Sequence, residues 1–78
     1  MTHELKFDVS RVEGVLVRLL GLSVRRGYEP IEVVAVPAGD GVLAVRMRVE
    51  SARAVAGLVQ QLEKLHDVRR VEVREVGS

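Results

Sequence analysis

In the stretch "HELKFDV", Leu5, Phe7 and Val9 alternate with Glu4, Lys6 and Asp8. A few residues later the spacing of apolar side chains changes from two to three and four. Such changes of period recur in a fixed order along the chain, and they constrain the fold more than any other feature. The first alternation specifies a half-buried strand. "SRVE" follows, in which Ser10 can cap a helix while Glu13 reaches back to complete a capping box. Val12, Val15, Leu16 and Leu19 then form one helical stripe, and Val17, Leu20, Gly21 and Val24 form a second. Two stripes exceed what one sheet face covers, so the second predicts a neighbouring element from outside. Gly14 falls in the first turn of this helix and Gly21 in its middle. An interior glycine costs a helix about 1 kcal/mol relative to alanine. Gly14 therefore predicts a close approach to the backbone, by a ligand or by a tightly packed strand, and Gly21 the approach of another helix. Arg25 and Arg26 suit a helix C-terminus, and Gly27 is the natural residue just beyond it.

"IEVVAVPA" reads as a strand of β-branched residues, and Pro37, which has no N–H to donate, means that this strand belongs at a sheet edge or ends there. "GDG" is a hairpin turn. "VLAVRMRVE" is the next strand, with Leu43, Val45, Met47 and Val49 on one side and Arg46 and Arg48 on the other. Ser51 is positioned to cap a second helix carrying Val55, Leu58, Val59, Leu62 and Leu65. "VRRVEVREV" closes the chain as a strand with Val71 and Val73 inward. The order is βαββαβ. Right-handed crossovers convert it into an α+β, ferredoxin-like plan: a four-stranded antiparallel sheet with both helices on one face.

The chain has 78 residues, which predicts a single domain over 1–78 with a core near the lower limit of self-sufficiency. A net charge of +1 gives no electrostatic reason for nucleic acid or an anionic membrane as partner. Cysteine is absent, which removes disulfides and thiolate chemistry and suits a reducing cytoplasm. No apolar signal core or membrane-length run is present, so the expected location is cytoplasmic.

Catalytic chemistry finds few candidates. His3 and His66 have no cysteine near them and make a poor metal site. Ser10 and Ser51 read as caps, Ser23 lies within a helix and Ser78 is terminal, and none has a local histidine. The carboxylates are scattered on polar faces. "GDGVLA" (39–44) matches the spacing of a dinucleotide fingerprint, but a strand follows it where that fingerprint needs a helix N-terminus. An RNA-binding sheet needs exposed aromatics, and the chain has only Phe7, in the core set, and Tyr28. A metal chaperone of this topology needs a cysteine pair, and an acylphosphatase needs an asparagine; the chain contains neither residue type.

"EGVLVRLLGLSVRRGYEPIEVVAV" resembles the first half of an ACT domain and, more narrowly, the small regulatory subunit of acetolactate synthase. That family reads N-x-x-G-x-L-x-R-x-x-G-L-F-x-R-R-G-Y-N-I. Gly14, Leu16, Arg18, Gly21, Leu22, Arg25, Arg26, Gly27, Tyr28 and Ile31 correspond to it, with one extra residue after Tyr28. Gln61 and "LEKLHDVRRVEV" (62–73) resemble its Q-L-x-K-L-x-D-V-x-x-V stretch. The resemblance implies a non-catalytic subunit for branched-chain amino acid synthesis. It implies a homodimer whose sheets join through the second strand, so that Val17, Leu20, Gly21, Val24, Val34 and Val36 become interface candidates. It also implies a small amino acid, valine or a relative, held at the first turn, with Arg11, Val12, Glu13, Gly14, Val15 and Glu29 as contact candidates. No cofactor is expected on this chain: thiamine diphosphate, magnesium and usually FAD belong to a separate catalytic large subunit, the expected partner. Arg11 and Glu29 stand where the family has asparagines. In place of those asparagines, Glu29 is left to take an ammonium and Arg11 a carboxylate, or the two pair with each other and leave no site. With one ACT domain and these changes, the chain resembles the short type with weak or absent valine inhibition. A stand-alone amino-acid sensor is the alternative.

Overall fold

The computed structural model describes residues 1–74. Its elements are β1 (Thr2–Ser10), α1 (Val15–Arg25), β2 (Glu29–Pro37), β3 (Val42–Glu50), α2 (Val55–Glu63) and β4 (Val68–Arg74). The strands form one sheet in the order β2-β3-β1-β4, with every neighbouring pair antiparallel. This is the ferredoxin-like arrangement that the periodicity predicts. The end of the expected last strand, Glu75 and Val76, and the terminal Ser78 lie outside the described residues.

β1 and β3 occupy the centre because they carry the most apolar inner rows. His3, Leu5, Phe7 and Val9 are buried on β1, and Val45, Met47 and Val49 on β3. The helices close over these rows with Val15, Leu19 and Ser23 from α1 and Leu58 and Leu62 from α2. β2 is an edge strand and ends at Pro37, so both readings of that proline hold, and its apolar residues stay largely uncovered: Ile31, Val33, Val34 and Val36 are all exposed.

The end of α1 follows the sequence closely. Gly27 has φ +91°; its N–H donates to the Val24 carbonyl at 3.1 Å and the Tyr28 N–H to the Ser23 carbonyl at 2.9 Å. These two bonds are the Schellman closure of a helix.

Both expected serine caps are corrected. Ser10 is the last residue of β1, its N–H donating to the Asp67 carbonyl at 2.8 Å, and α1 begins only at Val15 with Gly14 as its N-cap. The chain needs residues 11–14 to climb from the sheet plane to the helical layer. No capping box forms, and Val12, outside the helix, is exposed. Ser51 likewise leaves α2 to an Ala54 N-cap with no side-chain bond. Its hydroxyl donates to the Gly27 carbonyl at 2.7 Å and accepts from the Arg53 N–H at 3.0 Å. It thereby ties the connection after α1 to the connection before α2. Leu65 lies beyond the end of α2 but still packs on the core.

β4 contains a bulge. Asp8 pairs with Arg69 and Lys6 with Glu72, so Phe7 faces two residues, Arg70 and Val71. Arg70 has φ +56°. The extra residue resets the alternation, which is why Val71 and Val73 share the core side with Val68.

Tyr28 is buried, and its hydroxyl donates to the Ala54 carbonyl at 2.7 Å. A Cβ at Gly57 would lie 2.6 Å from that oxygen, so glycine here is a packing requirement that overrides helix propensity. Gly57→Ala is expected to destabilise the fold by about 1–3 kcal/mol, the usual cost of overpacking. Tyr28→Phe removes the obstructing atom, so the alanine should be near neutral in that background. Chemical denaturation of the double-mutant cycle tests this, and equal effects in both backgrounds would refute the contact.

Candidate functional site

The turn from β1 into α1 is built by backbone bonds. The Arg11 N–H donates to the Gly41 carbonyl at 2.8 Å, the Val12 N–H to the Ser10 carbonyl at 2.9 Å and the Val15 N–H to the Val12 carbonyl at 3.2 Å. Gly14 completes the turn at φ +77°, a conformation natural to glycine and costly to most residues. A Cβ there would meet nothing within 4 Å. Gly14 is therefore not an interior helical residue, and the glycine serves the backbone angle while leaving the space in front of it open. Among the described residues the Leu16 and Val17 N–H groups have no backbone partner. They lie at the positive end of the helix dipole, where a carboxylate is favoured. Beside them lies an apolar hollow of about 180 Å³, lined by Val12, Gly14, Val15, Leu16, Val17 and Leu43.

Arg11, Val12, Glu13 and Gly14 all lie at this turn and are exposed. Val15 contributes its backbone there, while its side chain belongs to the core. Glu29 is elsewhere. It pairs with Glu50, which pairs with Thr2, whereas Ser10, next to Arg11, pairs with Val42 at the opposite end of the sheet. Eight residues of extended chain separate the two ends, about 27 Å. Within one chain Arg11 and Glu29 therefore neither pair with each other nor grip one ligand together.

The second stripe of α1 is left uncovered: Val17 is 75% and Val24 60% exposed, and Leu20 and Gly21 are half-buried. Val34 and Val36 stand opposite Arg46 and Ala44, on the sheet face without helices. The six interface candidates thus do not share a face. They flank the free edge of β2 from its two sides.

One connection escaped the sequence reading. Arg18 donates to the Asp67 carboxylate at 2.9 Å, joining α1 to the turn before β4 above a hollow of about 150 Å³. Arg18 and Asp67 belong to the two separate stretches that carry the family resemblance, but no periodicity links residues so far apart. Of the histidines, His3 is buried with Nε2 3.2 Å from the Arg53 carbonyl, and His66 is exposed. Among the described residues no group of three or more histidine, cysteine or acidic side chains is arranged to hold a metal ion, and no helix is long and apolar enough to cross a membrane.

The ACT domain profile matches residues 11–71. The chain belongs to the ACT domain family. No curated protein matches it. Among solved structures, it is similar to the crystal structure of the ACT domain from GTP pyrophosphokinase of Chlorobium tepidum, with a TM-score of 0.77 at 16% identity over 95% of this chain and 97% of that one. The solution structure of the same domain gives 0.74 at 15% identity over 97% and 88%. At these identities the likeness is one of fold. ACT domains are regulatory and non-catalytic.

The geometry of the ACT turn makes a direct prediction. Gly14→Ala should cost about 1 kcal/mol through its left-handed backbone, although the added methyl touches nothing. Gly14→Asn, which tolerates that region, should cost less. Urea denaturation of the three proteins ranks them, and an alanine variant as stable as the parent would show that the turn is not held at positive φ.

Proposed function

We propose that this ACT domain is the small regulatory subunit of acetolactate synthase, acting on a separate catalytic chain and responding weakly or not at all to valine. The block "RRGY" with the later "KLHDV" supports the choice among ACT-containing systems. The observation that carries the physical side of the reading is the uncovered β2 edge beside the open Gly14 turn. A nine-residue, valine-rich edge strand is a template for pairing that a stable protein covers. A second copy related by a two-fold axis lays its β2 antiparallel to the first. That brings Glu29 of the partner subunit to the end of the sheet where Arg11 and Gly14 lie, and sets the α1 stripes side by side with Gly21 between them. In such a dimer Arg11 and Glu29 meet only across the interface. Their charges attract more strongly than two asparagines would, and the pair occupies the space an effector would need. Thiamine diphosphate, magnesium and FAD are assigned to the large subunit.

Two measurements test this reading. Adding the purified chain to its cognate large subunit should raise acetolactate output, with little reversal by valine; no association and no change in rate would count against it. Sedimentation should show a dimer, and Val24→Glu should weaken association at least roughly tenfold by placing a charge on an apolar contact. A parent protein that stays monomeric would remove the interface.

The alternative is a stand-alone ACT sensor of a small amino acid, favoured by the two free N–H groups and the hollow at Gly14. Calorimetry separates the two: submillimolar amino-acid binding without any large-subunit partner selects the sensor.

A further inference from the structure

Asp8 of β1 and Arg69 of β4 stand directly opposite each other on the helix-free face of the sheet. A cross-strand pair of opposite charge is stabilising when it closes. Here, among the described residues, neither side chain makes an ion pair within 4 Å. Both line a cleft of about 220 Å³, together with Val9, Ala38, Val42 and Arg70.

The β4 bulge creates this arrangement. In an unbroken strand Arg70, next after Arg69, would fall on the core side opposite Phe7. The bulge holds Arg70 at φ +56°, a region L side chains rarely adopt, and both arginines line the cleft. Bulges re-aim side chains in this way, and strained backbone of this kind collects where a protein binds something.

We infer that the cleft binds a small zwitterion. Its carboxylate sits on the guanidinium groups of Arg69 and Arg70, its ammonium on the Asp8 carboxylate, and a short apolar portion lies against Ala38 and Val42. Asp8 disfavours a dianion such as phosphate. The absence of an aromatic on this face removes the stacking that a nucleotide would need. The site is separate from the Gly14 turn, whose hollow opens beside Leu43, a residue of the opposite alternation from Val42. It therefore stands or falls independently of the proposed regulatory role.

The test is an amide-resolved NMR titration of the whole chain with L-alanine and L-valine, using acetate and methylammonium as half-ligand controls. Saturable shifts are expected at Asp8, Arg69 and Arg70 for the amino acids and much weaker ones for either control. Asp8→Asn and Arg70→Gly should each weaken binding roughly tenfold. Arg70→Gly should also melt no lower than the parent, because glycine adopts the bulge angle freely; a purely structural arginine would leave the shifts unchanged. Absence of saturable shifts, shifts confined to residues 12–17, or acetate binding as tightly as the amino acids and unaffected by Asp8→Asn would each overturn the inference.

Discussion

The burial of the β1 and β3 inner rows beneath two helices is the interaction on which everything else rests. Leu5, Val49, Leu58 and Leu62 are fully removed from solvent. At about 25 cal/mol per Å² of apolar surface, side chains like these supply most of what a chain of this size has to offset its conformational entropy. Once these rows meet, the positions of the remaining parts follow. β2, interrupted by Pro30 and Pro37, goes to one edge and β4 to the other. The connections are drawn together where Ser51 bonds to Gly27 and Tyr28 bonds to Ala54. The turn at Gly14 is left at one end of the sheet with its amides free.

The same economy explains the uncovered surfaces. Two short helices cover the central strands and leave the β2 edge and the outer stripe of α1 in water. Val17 and Val24 are exposed on α1, and Ile31 and Val36 on β2. A regulatory domain without chemistry of its own acts through contacts, and apolar side chains beside an unpaired strand edge are the material from which contacts are made. The β1–β4 part of the open sheet face is charged, is grooved at Asp8 and Arg69, and is shaped by a backbone irregularity.

Much of the fold was legible in the residues because alternation and helical spacing report directly on which side of an element is buried. β3 begins and ends where its pattern does, and Gly27 closes α1 as its position implies. The misreadings share one cause. Ser10 and Ser51 have the local signature of a helix cap, but a cap also needs the helix to begin there, and that depends on how far the chain must travel between layers. Gly14 looked like a fault inside a helix for the same reason. At the candidate site, the turn residues were legible as neighbours. The separation of Glu29 from Arg11 was not, because the distance between them is set by strand register.

The sequence by itself determined the order of the elements and most of the apolar rows that form the core, since these follow from local periodicity, while Val12 and Val73 stay exposed and Tyr28 joins the core unannounced. Only the tertiary structure decided where the helices start, that Tyr28 forbids a side chain at Gly57, that Arg18 reaches Asp67, and that a bulge turns Arg70 away from Phe7. These depend on distances between segments far apart in the chain, and such distances exist only once the layers have packed.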